Sequence, residues 1–151
     1  MTIRCEIVSQ DRMVWEGDAD IVIVPGVSGE MGILPNHAPL LSTLQYGILK
    51  VRYKNQEEIF TVAGGVVEIQ PDVITVLADS AENVEEIDIA RAEEARKRAE
   101  RILEEGPPPD SDAYLKMEAA LRRSNLRVEA ARRYRRGQRS RPAGMGEGEA
   151  D

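Results

Sequence analysis

The sequence predicts an α+β protein in two domains, an N-terminal antiparallel β-sandwich followed by a C-terminal antiparallel helical hairpin. As far as about Ala81, short apolar segments alternate with turn residues and no helical segment separates them, which is typical of an antiparallel sandwich or barrel. From Asn83 onward Ala, Glu and Arg dominate, and apolar residues recur every three or four positions. We therefore assign the domains to residues 1–84 and 85–136, with a tail at 137–151.

Eight segments of the first domain have the length and composition of strands. They are Ile3–Ser9, Met13–Gly17, Asp20–Val24, Leu40–Gln45, Gly47–Tyr53, Glu57–Ala63, Gly65–Gln70 and Val73–Ala78. In the sixth segment the side chains alternate between two faces. Ile59, Thr61 and Ala63 lie on one face, and Phe60 and Val62 lie on the other. Because strands so closely spaced leave no room for crossover helices, we expect neighbouring strands to be antiparallel.

A polar, proline-bounded segment, Gly32–Leu41, interrupts the strands. Pro35 and Pro39 exclude regular helix and central strand from this segment, so it predicts a shaped surface loop. His37 is the single histidine of the chain. It can form neither a metal site with a second histidine nor a triad, and no other constellation offers a nucleophile and a base. The sequence therefore predicts no catalytic residues and no metal.

The second domain reads as two helices joined by a short turn. The first runs from Asn83 to Glu105, with Asn83 and Glu86 at capping-box spacing. Its apolar face is built from Ala92, Ala95, Ala99 and Ile102. Gly106-Pro-Pro-Pro109 ends it, and Asp110–Asp112 offers caps for the next helix.

The second helix extends to about Arg136, and small side chains dominate its apolar stripe. That stripe consists of Met117, Ala120, Leu121, Ser124, Val128 and Ala131. A seam of small residues buries little apolar area, so we expect a weakly held hairpin that can open. The Gly- and Pro-containing tail at 137–151 should be disordered.

Charge is distributed unevenly along the chain. Residues 1–84 carry 5 basic and 12 acidic groups, whereas residues 113–136 carry 8 basic and 2 acidic groups. Binding to nucleic acid would explain such a basic segment, but a pI near 4.9 and few aromatic residues argue against it. A protein or nucleotide partner with acidic groups fits better. The run Arg132–Arg136 also places cations at a helix C-terminus, where they interact favourably with the helix dipole.

Cysteine content and hydropathy bear on the compartment. The one cysteine, Cys5, cannot form an internal disulfide, which favours a reducing compartment. No apolar run approaches the ~20 residues that span a bilayer, and Arg4 and Glu6 interrupt the N-terminal apolar pattern. We therefore expect any membrane association to go through a partner.

Three segments bear on nucleotide binding. Gly64-Gly65 and Gly26–Gly29 are incomplete phosphate-loop patterns, and a tight turn or close strand approach explains the glycine pair better. In Ile87–Ala92, Asp88 and Arg91 lie three apart, which would place both on one helix face. A carboxylate can accept from the adenine amino group, and a guanidinium binds phosphate oxygens in a fork. The alternative is a solvated surface pair of little energetic consequence.

Taken together, Gly32–Leu41, Thr61–Ile69 and the helical half resemble the ε subunit of F-type ATP synthases, from about Ile3 to Arg136. The resemblance implies a non-catalytic central-stalk subunit that couples proton-driven rotation to ATP synthesis. Its β-domain would bind the γ subunit and, through the loop Gly26–His37 with Glu30 and His37, the c ring. Its hairpin would inhibit ATP hydrolysis by extending to acidic segments of the catalytic α and β subunits.

The resemblance also implies a regulatory ATP site, with no cofactor required. Ile87-Asp88-x-x-Arg91-Ala92 matches the family's ATP-holding pattern, Glu82 and Arg98 extend the site, and Arg123 and Arg127 would contact phosphates. ATP between the helices would favour the folded hairpin, since a ligand shifts an equilibrium by its differential affinity for the two states.

The implied location is the cytoplasmic face of the bacterial plasma membrane, as a peripheral part of the complex, with no nucleic acid partner. The alternative from another class is a free-standing nucleotide sensor or adaptor. Two features depart from the family's pattern. The turn Gly106–Pro109 is stiffer than expected, which bears on how readily the helices could straighten, and the tail after Arg136 is longer.

Overall fold

The computed structural model describes residues 1–106 and 111–135 of the chain. These residues form eight strands, one 3₁₀ turn and two α-helices. In chain order the elements are β1 (Ile3–Val8), β2 (Met13–Ala19), β3 (Ile21–Gly26), β4 (Gly29–Ile33), β5 (Leu40–Tyr53), β6 (Gln56–Ile69), β7 (Val73–Ala78), β8 (Ala81–Asn83), the 3₁₀ turn (Val84–Glu86), α1 (Ile89–Glu104) and α2 (Ser111–Tyr134). The tail at 137–151 and the prolines at 107–109 lie outside the described residues, so the predictions made for them stay predictions.

The described strands form one sheet in the order β2-β1-β7-β6-β5-β3-β4, with β8 paired to β6. Neighbouring strands are antiparallel except β1 and β7, which are parallel. The prediction of a purely antiparallel arrangement is wrong at this pair, and the sheet is mixed. A tight hairpin cannot join two parallel strands. Here β2 to β6 form the long connection that brings the chain back beside β1.

Apolar side chains from β1 to β7 converge on one buried core. Phe60, at 0% exposure, is its largest fully buried side chain among the described residues. The Trp15 ring packs with its centroid 6.2 Å from that of Phe60. Fully burying a large aliphatic or aromatic side chain contributes about 1.5–3 kcal/mol, so this core holds the β-domain together. The free thiol of Cys5 lies within it, and burial raises the pKa of that thiol to about 12.

The strands β5 and β6 are single elements of 14 residues each, where the sequence predicted two strands apiece. β6 continues through Gly64 and Gly65, whose φ angles are 87° and 122°. A Cβ on Gly65 would lie 2.8 Å from the Cα of Ala78 on β7. The glycine pair therefore allows a close strand approach, as expected. The prediction missed β4, which contains two glycines, and β8, which has only three residues.

Both faces of β6 are buried, each against a different layer. Phe60 and Val62 face the main core, whereas Ile59 joins a second cluster with Val84, Ile87, Ala130 and Ala131. The period of two in this strand is thus confirmed. Ile59 of the sheet packs against the helical half, so the two halves share this second cluster.

The helical half begins differently from the prediction. The Asn83 side chain accepts a hydrogen bond from the backbone N of Glu85 at 2.9 Å, so it caps the 3₁₀ turn. The α-helix starts six residues later, and Asp88 is its N-cap. Within the hairpin the buried positions of α1 are Ala92 and Ala99, and those of α2 include Ser124 and Val128. The seam between the helices is therefore built from small side chains, as predicted.

Candidate functional site

A groove lies where α1 begins, beside strand β8 and helix α2. Its volume is about 570 Å³, within the range of small-molecule sites. Its walls are Glu82, Glu86, Asp88, Arg91, Glu94, Ala95, Arg98 and Arg127. Five of the seven residues predicted for the ATP site are among them. Folding therefore brings together side chains from β8, from the start of α1 and from α2.

A second cavity, of about 230 Å³, lies between the two helices. Its walls are Ala95, Arg98, Ala99, Ile102, Met117, Ala120, Arg123, Ser124 and Arg127. It shares Ala95, Arg98 and Arg127 with the groove, so the two spaces adjoin. Arg123, a sixth predicted site residue, lines this inner cavity. The seventh, Ala92, lines neither space and is fully buried in the hairpin.

The two spaces differ in charge. The groove has three arginines and four carboxylates in its walls. The inner cavity has three arginines, Arg98, Arg123 and Arg127, and no carboxylate. An anion is therefore favoured in the inner cavity, since guanidinium groups bind anions and no carboxylate lines this space. A neutral group that donates hydrogen bonds is favoured at the carboxylate-rich end.

Asp88 has a structural role that its spacing did not reveal. Its Oδ1 accepts from the backbone N of Arg91 at 3.1 Å, and its backbone oxygen accepts from the backbone N of Ala92 at 3.0 Å. Asp88 precedes the helix, so the prediction that Asp88 and Arg91 share a helix face is wrong. One carboxylate oxygen is used for capping. The Arg91 side chain is exposed and extends along the groove wall.

Glu82 and Arg127 bridge the sheet and the hairpin. Arg127 Nε donates to Glu82 Oε1 at 2.8 Å, and a terminal Arg127 nitrogen donates to Oε2 at 3.3 Å. Strand β8 positions Glu82 through its pairing with Thr61 of β6. Both side chains are about three-quarters buried. The fork of Arg127 is thus already occupied by a carboxylate, and a phosphate would have to share or replace that partner.

Most arginines of α2 are engaged with the rest of the chain. Arg122 stacks on the Tyr46 ring, with its Cζ 4.3 Å from the centroid, and Arg132 pairs with Glu93 of α1. Arg133 lies over the Tyr134 ring at 5.2 Å. Arg135 donates to backbone oxygens of the 3₁₀ segment. Arg122 and Arg135 therefore contribute to docking the folded hairpin, whereas Arg133 contacts only its neighbour within α2 among these interactions. Arg136 lies outside the described residues.

The predicted loop Gly26–His37 is largely a β-hairpin. β4 pairs with β3 from Val22↔Ile33 to Gly26↔Gly29, so Glu30 is an exposed strand residue. The irregular part begins after Ile33. There Asn36 adopts φ 64° and its backbone N donates to the Pro71 oxygen at 2.9 Å. His37 Nδ1 lies 2.6 Å from the oxygen of Ala38.

Two further properties concern the described residues only. Neither of their helices is long and apolar enough to cross a membrane. Within the same residues, His, Cys, Asp and Glu side chains form no group that could hold a metal ion.

Comparison with known proteins identifies the family. Residues 2–84 match the family model of the ATP synthase Delta/Epsilon chain, beta-sandwich domain, and residues 85–132 match that of its long alpha-helix domain. The ATP synthase epsilon chain of Dehalococcoides mccartyi (strain BAV1) is 46% identical over 134 residues, which cover 89% of this chain and 95% of the relative. The chain belongs to the ATP synthase epsilon family.

Other members of the family and a solved assembly agree. The ATP synthase epsilon chain of Moorella thermoacetica is 45% identical over 131 residues, covering 86% of this chain and 96% of the relative. A chain in the cryo-EM structure of the Euglena gracilis mitochondrial ATP synthase, OSCP/F1/c-ring, superposes with a TM-score of 0.70 at 25% identity. That match covers 86% of this chain and 81% of the other. The family assignment and the sandwich-plus-helices fold predicted from the sequence are thus confirmed.

The sequence did not predict three residues of the groove wall, Ala95 and two that carry charge. Glu86 and Glu94 add negative charge beside Arg91. For Glu94 a signal was present, because Arg91, Glu94 and Arg98 follow one another at spacings of three and four and so share a helix face. Glu86 lies in the 3₁₀ turn, where no helical period indicates which side chains point the same way.

Proposed function

We propose that this chain is a non-catalytic rotor subunit of a proton-translocating F-type ATP synthase. Its β-domain binds γ and the c ring, and so helps to couple rotation to ATP synthesis. The observation that carries this proposal is the match over nearly the whole length to epsilon chains, at 46% identity over 134 residues. The complex lies on the cytoplasmic face of the bacterial plasma membrane, and the chain reaches the membrane only through its partners.

Co-purification tests this proposal against a free-standing nucleotide sensor. The full chain, tagged and expressed at its natural level, should be recovered with α, β, γ and c subunits. Recovery as a free protein, with the synthase intact without it, would favour the sensor. A variant ending at residue 84 serves as a control for the site of attachment. It should still bind γ, because the main core of the β-domain contains no helical residue.

We further propose that the hairpin inhibits ATP hydrolysis when it extends, with the basic face of α2 against acidic surfaces of α and β. Two observations support this proposal: the excess of basic residues in α2, and the contacts that these residues make in the folded chain. In the folded chain Arg122 stacks on Tyr46 of the sheet and Arg132 pairs with Glu93 of α1, so Arg122 is released when the hairpin leaves the sheet and Arg132 when the two helices separate.

This proposed inhibition of hydrolysis by the extended hairpin, called the brake below, is tested in the assembled enzyme. Replacing Arg122, Arg123, Arg132, Arg133, Arg135 and Arg136 by Ala should raise ATP hydrolysis and change synthesis less. A control replaces the exposed basic residues Lys97 and Arg101 of α1, which line neither space and should leave hydrolysis near wild type. If hydrolysis is unchanged in the first variant at low and high salt alike, the electrostatic brake is wrong.

We propose, third, that ATP binds across the groove and the inner cavity and favours the folded hairpin. The charge difference between the two spaces supports one orientation. Phosphates would lie among Arg98, Arg123 and Arg127, and the adenine amino group would donate at the end formed by Glu82 and Asp88. A ligand present at a hundredfold excess over Kd would stabilise the folded form by about 2.7 kcal/mol, a large term for a hairpin with so small a seam.

Calorimetry on the isolated chain tests the site. Arg123→Ala should weaken ATP binding by about 1.5–3 kcal/mol, the range for charged hydrogen bonds. Arg127→Ala should weaken it less than Arg123→Ala, because Arg127 is shared with Glu82. Asp88→Asn keeps a side-chain oxygen for capping and removes the charge, so it separates ligand contact from helix stability. Arg139→Ala, in the tail, is the control. Absence of binding heat in the wild type would refute the site.

A further inference from the structure

The C-terminal end of α2 makes the buried apolar contact between the hairpin and the sheet. Ala130 and Ala131 pack with Ile59 of β6, and the Tyr134 ring packs against the same cluster. The alanine side chains that α2 contributes bury little area, so most of the apolar area in this contact comes from the sheet and the 3₁₀ segment. Lys50 of β5 adds a cation over the Tyr134 ring, at 5.1 Å from its centroid. Polar contacts add to the attachment at this end of the helix.

Arg135, directly after the last residue of α2, makes such contacts with the segment that precedes α1. A terminal guanidinium nitrogen donates to the backbone oxygen of Val84 at 3.2 Å and also to that of Ile87. Val84 and Ile87 are 1% and 2% exposed. Buried carbonyl groups need a hydrogen-bond partner, and a charged donor gives stronger bonds than a neutral one. The two oxygens lie 51 and 48 residues away in sequence.

We infer that Arg135 is the lock of the folded hairpin, the side chain whose release permits α2 to leave the sheet. It joins the far end of α2 to the segment between β8 and α1, so the helix cannot move away while both bonds persist. When the guanidinium withdraws, two buried carbonyl groups lose a charged donor. The lock therefore opposes opening at the end of the helix that packs against the sheet.

The same side chain also has a feature that limits the strength of the lock. Arg135 Nε is buried and has no hydrogen-bond partner among the described residues. Burying a donor without a partner costs free energy, which offsets part of the gain from the two carbonyl bonds. The lock is thus weaker than a guanidinium with all of its buried donors paired would be. Its use in braking rests on the proposed function, whereas its action on the hairpin does not.

Hydrogen exchange on the isolated full chain tests the lock. In Arg135→Ala the amides of residues 127–134 should exchange faster by about ten- to a hundredfold, the factor that corresponds to losing charged hydrogen bonds. Amides of β6 should exchange at the wild-type rate. Arg135→Lys keeps the charge and one donor group, and should give an intermediate rate. Arg133→Ala is the matched control, because it removes the same charge two residues earlier from an exposed position.

Each possible result of this measurement either supports or contradicts the proposed role of Arg135. Faster exchange confined to the helices in Arg135→Ala, with Arg133→Ala near wild type, supports the lock. Unchanged exchange in α2, or an equal increase in Arg133→Ala, overturns it. An equal increase in β6 also overturns it, since Arg135 would then stabilise the whole fold. Failure of the brake or of ATP binding would appear in the enzyme and calorimetric assays and leaves this measurement unaffected.

Discussion

Replacing Ile59 by Ala should loosen the hairpin while leaving the sheet folded. Ile59 is 5% exposed and packs with Val84, Ile87, Ala130 and Ala131 on the helical side of β6. The substitution removes the Cγ1, Cγ2 and Cδ1 groups, worth about 0.8 kcal/mol each. Because alanine neighbours cannot fill the space, a cavity adds to this loss, and the total should be about 2–5 kcal/mol. That loss falls on hairpin docking, since the Ile59 side chain faces away from the main core.

The assay follows the two halves separately during thermal unfolding. Circular dichroism reports the helices, and Trp15 fluorescence reports the sheet core, because the Trp15 ring packs near Phe60. In Ile59→Ala the helical signal should fall at a lower temperature than the Trp15 signal. The matched variant is Val62→Ala, three residues along on the opposite, core-facing side, which should lower both transitions together. Equal shifts of both signals in Ile59→Ala would refute the assignment of Ile59 to docking.

Three further predictions follow from particular residues. Gly65→Ala should lower the free energy of unfolding by about 1–3 kcal/mol, because Gly65 has φ 122° and lies against β7. Gly29→Ala, at φ 121° with open space around it, should lower that free energy less. Denaturant-induced unfolding of the two variants compares these losses. Stability should fall as pH rises from 9 towards 12, because the Cys5 thiol ionises near 9.0 when unfolded and near 12 when folded; Cys5→Ala should flatten that part of the pH–stability curve. Asp88→Ala should destabilise α1 by about 1 kcal/mol through loss of its cap, whereas Asp88→Asn should not, as helix melting in the nucleotide-free chain would show.

The sequence alone determined the division into a strand half and a helix half, and the small-residue seam of the hairpin. These features depend on local periodicity and on turn and helix propensity, which neighbouring residues specify. The motif Ile87–Ala92 and the arginines of α2 were also recognisable. Their convergence with Glu82 in one groove followed from the family resemblance, because nothing in local spacing joins β8 to α2.

The tertiary structure decided the features that depend on distant partners. The parallel pairing of β1 and β7 requires the whole β-domain between them to be in place. Asn83 could have capped α1, but Asp88 does so, because the 3₁₀ turn at Val84–Glu86 is held against the sheet by a buried Val84. Ile59 stabilises docking of the helices, since a second layer covers the face of β6 that points away from the core. Likewise, whether an arginine of α2 is available or already bonded depends on long-range contacts, which residue spacing cannot report.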